Sequence, residues 1–504
     1  MKRLSCICLT AIALLIANCA GATAHPKPAK TAHLYTSHYE NVLGTSLDLK
    51  VMTGSPQEAE KAEKIVLQKI AAMSGILSAY DAKSEFSRWL KTAHQAVPVS
   101  HELFEVLALF DQWRIRTGGA LDASAEVITR LWRQAAATQQ EPTSDELANA
   151  VRQVAQPHWK LDASAQTATH LSNAPLILNS FAKSYIIKHA ADAAMALGNV
   201  KAVIVNIGGD LVVSGSLDEN IAISDPRADA ENDAPLDFLR VSNKAIATSG
   251  NYRRGELIGG RWYSHIVDPR TGQPADNILS ATVVASNATD AGALATAFNV
   301  MSPAESQALA GQLPGVQYLI ITKNGERFAS PGWKALEIPG KTPAVGLTTA
   351  PADFELIVNL EINLPKEGAV KRPYIAVWVE NEDHAPVRTI SVWHGSDRFM
   401  PELKSWFLKY RGLYMADKNF NSTVTSATRS AGKYTVKWDG KDDQGNLVKP
   451  GKYIIKIEAS REHGTYQLMR QEIDCDETPK VISLVGNIEI ASASLDYRKR
   501  TNGN

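Results

Sequence analysis

Lys201-Ala202-Val203-Ile204-Val205-Asn206-Ile207-Gly208-Gly209-Asp210 reads as a buried strand stopped by a turn. A β-branched run suits a pleated, buried surface, and the paired glycines punctuate it. Glycines there also let backbone N–H groups approach an anionic ligand, although a strand-ending turn needs no ligand. Helical patterns lie on both sides. Glu58 to Leu77 carries Ala62, Ile65, Ile70, Met73 and Leu77 at helical spacing, and Leu103, Val106, Leu107, Phe110 and Trp113 mark a second helix. Thr143 or Ser144 can cap a third, through about Ala155, and Thr289 a later one reaching about Val300. Lys183 falls in the first turn of a helix beginning near Phe181, with Ser180 as its expected N-cap. Strands and helices mix without a regular βα repeat, so an α+β domain is expected.

Further along, from Glu337 to Asp353, Pro339, Gly340, Pro343, Gly346 and Pro351 indicate a linker, placed at 337–352. Beyond it, Phe354–Ile362, Tyr374–Val379, Thr389–Trp393, Tyr434–Trp438 and Tyr453–Ile457 read as strands, several alternating apolar and polar residues. Asp439-Gly440 and Gln444-Gly445-Asn446 supply turns. A small all-β sandwich over 353–485 follows, with 486–504 as a tail frayed from Arg498 onward.

At the other end, Lys2 and Arg3 precede an apolar run from Leu4 to Ile16 and an Ala22-Thr23-Ala24 cleavage pattern. Residues 1–24 therefore read as a secretory signal peptide, implying a periplasmic or secreted mature chain. Cys6, Cys8 and Cys19 lie in or beside this leader, and lipid attachment at Cys19 fits the flanking residues poorly. Only Cys475 remains after cleavage, which excludes an intrachain disulfide and a cysteine metal site. Among the 504 residues, 53 Lys and Arg balance 53 Asp and Glu. Zero net charge argues against a broad cationic surface for nucleic acid or for an anionic membrane. No stretch of the mature chain is long and apolar enough to span a bilayer.

Polar residue clusters concentrate between 179 and 272. Besides Asn206–Asp210 and Lys183, Thr248-Ser249-Gly250-Asn251-Tyr252-Arg253-Arg254 groups hydroxyls, a flexible residue and two guanidinium groups, which suit phosphate. Tyr263-Ser264-His265-Ile266-Val267-Asp268-Pro269-Arg270-Thr271-Gly272 sets an imidazole three residues from a carboxylate. Taken singly, these are also a solvated loop, a structural histidine and a surface lysine. Neither a Walker-type loop nor a G-x-G-x-x-G fingerprint is present.

Taken together and in order, the blocks resemble the ApbE-type flavin transferases (FAD:protein FMN transferases) over roughly residues 33–336. The pattern runs through Gly44-Thr45, Ser84-Glu85-Phe86-Ser87-Arg88, Asp122 before Leu131-Trp132, and Ala182-Lys183. It continues through Asn206–Asp210, Thr248-Ser249-Gly250, His265–Gly272 and Leu294-Ala295-Thr296-Ala297. The resemblance implies a Mg²⁺-dependent enzyme that moves the FMN half of FAD onto a threonine hydroxyl of an acceptor protein and releases AMP. The acceptor would be a secreted electron-transfer protein, modified in trans. His265 would be the base. Lys183, Asn206, Gly208, Gly209, Asp210, Thr248, Ser249, Gly250, Arg253 and Asp268 would hold the nucleotide, and Ala182, Asp290 and Thr296 the metal.

The chain departs from that pattern where the metal is expected. Gly292 stands at the usual metal-binding Asp, with Asp290 two positions earlier, and Asn179-Ser180-Phe181-Ala182-Lys183-Ser184 replaces Gly-Gly-Ile-Ala-Lys-Gly. Lys188 and Leu90 also depart from the family pattern. A flavin-binding scaffold with impaired catalysis and an FAD pyrophosphatase are therefore alternatives. Arg372–Glu380, Val387–Thr389, Trp438-Asp439-Gly440 and Arg461-Glu462-His463-Gly464 resemble a family of predicted periplasmic domains of unknown function, read here as a positioning or interaction module. His394, Glu462 and His463 are candidate metal ligands there, with ordinary surface histidines the favoured reading.

Overall fold

A computed structural model describes residues 31–228, 230–233, 235–251, 254–339, 354–363, 372–395, 397–416, 425–426, 428–461, 465–476 and 478–500. The signal peptide with Cys19, Arg253, nearly all of the linker, Glu462 and His463 lie outside these residues.

The first part is built on one eight-stranded antiparallel sheet whose strands follow one another in chain order. They are β1 (His33–Val42), β2 (Thr45–Thr53), β3 (Val200–Ile207), β4 (Asp210–Gly215), β5 (Ala245–Gly250), β6 (Ile278–Ala285), β7 (Gln317–Thr322) and β8 (Arg327–Ala329). The helices are inserted between neighbouring strands. Between β2 and β3 come α1 (Pro56–Leu77), α2 (His101–Arg116), α3 (Glu126–Thr138), α4 (Ser144–Val154) and α5 (Ala182–Met195), and α6 (Ala288–Val300) follows β6.

Alternation along the strands decides which face each side chain joins. Leu47, Leu49 and Val51 of β2, and Val203, Val205 and Ile207 of β3, enter the main core with α1, α5 and α6. Ile204, Leu211, Val213 and Ile246 point to the opposite face, under Leu239, Val241 and Trp333. Burial on both faces explains why Lys201–Ile207 is apolar almost throughout.

Helix ends follow local chemistry. Thr143 and Glu146 form a reciprocal capping box on α4. Asn287, rather than the expected Thr289, caps α6, its side chain accepting from the Thr289 N–H. Asp122, which the family pattern places in a strand, is not in one. It caps a short 3-10 turn, accepting from the Ser124 N–H and hydroxyl, and pairs with Arg114 at 2.8 Å.

The C-terminal part is strand-rich as expected. One sheet has the order β13-β9-β17-β16 and the other β12-β11-β10-β14-β15. These strands are β9 (Phe354–Ile362), β10 (Tyr374–Asn381), β11 (Pro386–Trp393), β12 (Thr425–Ser426), β13 (Gly432–Trp438), β14 (Gly451–Ser460), β15 (Tyr466–Cys475), β16 (Lys480–Val485) and β17 (Ile490–Lys499). Their inward residues, including Val358, Val377, Ile457 and Leu495, form a shared core.

Two features were not legible in the strand pattern. A helix, α7 (Lys404–Ala416), packs Trp406 and Tyr410 against Trp378 on the outer side. The expected tail is instead β17, hydrogen-bonded between β9 and β16. Its alternating Ala493, Leu495 and Tyr497 supply core contacts that polar neighbours obscure.

Candidate active site

The site forms where α5 and α6 meet one edge of the sheet. Phe181 occupies the N-cap position of α5 and no side chain caps that helix. Phe181 is fully buried and stacked on Phe110 at 4.3 Å, so packing fixes the helix start. Ser180, expected as the cap, gives its carbonyl oxygen to the Thr296 hydroxyl at 3.0 Å. The Ala182 N–H donates to the Leu178 carbonyl at 3.0 Å, while no side chain caps the N–H groups of Lys183 and Ser184 in the first turn, a helix start that favours an anion. Lys183 lies in that turn, with its Nζ 3.0 Å from Asp210 Oδ2, and the Ser184 hydroxyl donates to the same oxygen at 3.1 Å.

Asp210 follows the turn between β3 and β4. Gly208 and Gly209 have φ values of 57° and 91°, a region that disfavours side chains. A Cβ on Gly208 would lie 2.7 Å from Thr45 Cγ2, so the Gly44-Thr45 block packs directly under the turn. Asn206 Oδ1 accepts the Gly209 N–H at 3.1 Å. β5 ends at the same sheet edge, because Ala245 and Ile246 pair with Val212 and Leu211 and the strand then runs past the start of β4. Thr248 shares a hydrogen bond with Thr282 at 3.0 Å, and the Ser249 carbonyl accepts from Asn299 at 3.0 Å.

The chain between β5 and β6 carries the histidine. A hairpin, Gly255–Ile258 with Arg261–Ser264, leads into His265, and the buried Asn251 ties the stem by donating to the Ala275 carbonyl at 3.1 Å. His265 Nδ1 lies 3.0 Å from the Arg254 carbonyl oxygen, which assigns the proton to Nδ1 and leaves Nε2 as the basic nitrogen. His265 is exposed by area. Enough protein surrounds it that desolvation, reinforced by the Arg254 charge, lowers its pKa below the ordinary 6.5. The imidazole is therefore neutral at pH 7.

The Asp268 carboxylate is paired within its own turn. Both carboxylate oxygens are engaged by the Arg270 guanidinium, and its carbonyl accepts from Thr271 and Gly272. It shapes the turn. Trp132 Nε1 donates to the Gly272 carbonyl at 2.8 Å and its ring stacks on Tyr263 at 4.8 Å, pinning the whole segment to α3. The Ser84–Arg88 block is likewise structural: Ser84 caps a short helix, and Glu85 accepts the Ser100 N–H at 2.6 Å.

The magnesium set that the resemblance implies is not assembled. Gly292, Thr296 and Asn299 share one face of α6, directed at Ser184, Ser180 and Ser249. The helix is continuous here, so Asp290 is turned about 200° from Gly292. Burial raises the Asp290 pKa, and the charge acting on it is that of Arg116. A Cβ on Gly292 would lie 2.3 Å from Ser184 Oγ, so a hydroxyl already fills that space. Among the described residues, no group of three or more His, Cys, Asp or Glu side chains could hold a metal. The residues present do not fit the expected ligand set.

Asn299, Asn251 and Ser184 were not among the expected site residues. Asn299 had a signal, since it lies four and seven positions from Ala295 and Gly292 along the helix that closes the motif series.

An antiparallel sheet with an uncapped helix N-terminus, a glycine turn, a lysine and a neutral histidine at one edge defines a nucleotide-handling α+β domain. Comparison with known proteins gives the particular family. Residues 43–320, more than half of the chain, match the ApbE family, and residues 355–492 match a predicted periplasmic protein family (DUF2271). The FAD:protein FMN transferase of Klebsiella pneumoniae (strain 342) is 27% identical over 326 residues, covering 62% of this chain and 91% of the relative. That of Treponema pallidum (strain Nichols) is 30% identical over 327 residues, covering 59% and 87%. The crystal structure of the ApbE protein from Thermotoga maritima superposes with a TM-score of 0.54 at 25% identity, covering 61% of this chain and all of that one. The chain belongs to the ApbE family.

Proposed function

We propose that this chain transfers FMN from FAD to a threonine hydroxyl of a periplasmic acceptor protein and releases AMP. The observation that carries the reading is the Lys183–Asp210–Ser184 cluster at the uncapped start of α5, beside the Gly208-Gly209 turn. A pyrophosphate placed there would meet an ammonium group and helix N–H donors, which favour charge on phosphate oxygens. The names of the relatives agree with this chemistry.

In the reaction, the acceptor threonine oxygen forms a bond to the FMN phosphorus while the pyrophosphate P–O bond to the AMP half breaks. His265 Nε2 takes the hydroxyl proton, and its neutral state at pH 7 suits it to do so. Magnesium would add positive charge at the phosphates, but the chain offers it no carboxylate on the face of α6 that points at the site. Lys183 and the helix N–H groups are a cation and donors that the protein itself supplies. The leader and the match to a predicted periplasmic family support export, and among the described residues no helix is long and apolar enough to cross a membrane.

One observation favours a second reading, a flavin-nucleotide-binding scaffold with impaired turnover: Ser184 occupies the space beside Gly292 where a carboxylate would stand. The two readings separate on incubation of the mature protein with FAD, Mg²⁺ and a threonine-bearing acceptor domain. Covalent flavin fluorescence on the acceptor supports transfer. Bound FAD without labelled acceptor or AMP supports the scaffold, and AMP without labelling would indicate a pyrophosphatase.

A further inference from the structure

The C-terminal module touches the sheet at a charged row that leads to the glycine turn. His38, Asp48 and Asn206 are cross-strand neighbours on β1, β2 and β3, so their side chains share one face. It is the face away from the helices, because Leu47 and Leu49 on either side of Asp48 point into the helical core. His38 Nδ1 lies 2.6 Å from Asp48 Oδ1, and Arg372 Nη1 reaches the same oxygen at 3.0 Å from the C-terminal module. Arg372 is 4% exposed and also donates to the Thr428 carbonyl at 3.0 Å. Gly395 of the same module backs onto the His38 ring, where a Cβ would lie 2.7 Å from Nε2.

The other Asp48 oxygen faces the turn. Oδ2 is 3.5 Å from Asn206 Nδ2, at the outer limit of a hydrogen bond, and Asn206 Oδ1 accepts the Gly209 N–H at 3.1 Å. Asp48 thus stands between the module and the turn. Loss of Arg372 would leave this half-buried carboxylate with His38 alone on Oδ1 and would draw its remaining partners into new positions. Burial works to raise the Asp48 pKa, yet the His38 hydrogen bond and the Arg372 charge hold it below the usual carboxylate value.

A second contact fixes the module against the first part. The Glu231 N–H donates to the Thr435 carbonyl at 2.7 Å, Asn232 exchanges two hydrogen bonds with the Lys437 backbone, and Arg429 pairs with Glu231 at 3.1 Å. Two separated attachments leave Arg372 little freedom to swing away from Asp48.

We propose that Arg372 is a positioning residue for the nucleotide-binding turn, acting through Asp48 and Asn206. The C-terminal module is then a working part of the flavin site. This role rests on the transferase reading of that site. It applies to FAD binding, because the row ends at the Gly209 N–H and not at His265.

The test is FAD affinity, read by flavin fluorescence on the mature full-length chain, with KM and kcat for transfer alongside. Arg372→Met should weaken FAD binding and raise its KM on the order of tenfold, the effect of losing a charge-assisted hydrogen bond, with kcat nearly unchanged. Arg372→Lys should recover part of the loss. In an Asn206→Ala background, Arg372→Met should add little further loss. Because Arg372→Met leaves Asp48 with His38 but without its guanidinium partner, the pair Asp48→Asn with Arg372→Met serves if the single variant does not fold, and should show the same loss of affinity. Unchanged FAD affinity in either folded variant overturns the role, as does a full additional loss in the Asn206→Ala background. Failure of the wild-type chain to bind FAD overturns the reading of the site and this role with it. Wild-type binding that is insensitive to Arg372 overturns the role alone.

Discussion

Ser184 and Gly292 are complementary across the α5–α6 contact. The Ser184 hydroxyl occupies the volume that any side chain at position 292 would enter, 2.3 Å from the ideal Cβ. Gly292→Asp alone should therefore destabilise the protein by about 1–3 kcal/mol through overpacking. Combined with Ser184→Gly, the same aspartate gains room, and thermal unfolding should return close to wild type. The double variant should also show a rise in Tm with added Mg²⁺ larger than that of the wild type. A single Gly292→Asp variant as stable as wild type would show that Ser184 does not fill this space.

Asp290 stands on the opposite side of α6 from Gly292 and near Arg116. Asp290→Ala is expected to leave the magnesium dependence of activity unchanged. A sharp rise in the magnesium needed for half-maximal rate would place Asp290 at the metal after all.

Lys183 is the ammonium at the uncapped helix start. Lys183→Met should weaken FAD binding by about 10- to 100-fold, the range for loss of a hydrogen bond to a charged group. Isothermal titration with FAD reads this directly, and unaltered affinity would remove Lys183 from the nucleotide site.

His265 has a pKa lowered by desolvation, so it is basic and neutral above that value and protonated below it. The rate of transfer should be constant around pH 7 and fall as pH drops through an apparent pKa below 6.5. His265→Ala should lower the rate about 10²- to 10⁴-fold while FAD binding persists. An acid limb that is unchanged in His265→Ala would assign the base elsewhere.

Much of the fold was legible because its signals are local. The apolar run into Gly208-Gly209 gave β3 and its turn, and Thr143, one of two candidate caps, does cap α4. Signals that depend on distant partners were not legible. Phe181 starts α5 by packing on Phe110, so the nearby Ser180 hydroxyl is not the cap that its residue type suggests. β17 looked like a polar tail because its apolar residues alternate with Asp496, Arg498 and serines, and only its neighbours β9 and β16 make it a strand.

The candidate site divides in the same way. Lys183 meets Asp210, and Asn206 braces the Gly208-Gly209 turn that leads to it. Asp268 carries the right residue type, but Arg270 two positions later takes up its carboxylate. The joining of Asp48 to Arg372 links residues 324 positions apart, which no local pattern reveals.

The most direct test of the transferase account is in-gel flavin fluorescence combined with AMP quantification. The mature protein would be incubated with FAD, Mg²⁺ and a threonine-bearing acceptor domain. The account predicts a fluorescent acceptor band and AMP in equal molar amounts, both lost in His265→Ala. FAD bound by the protein with neither a labelled acceptor nor AMP would contradict it.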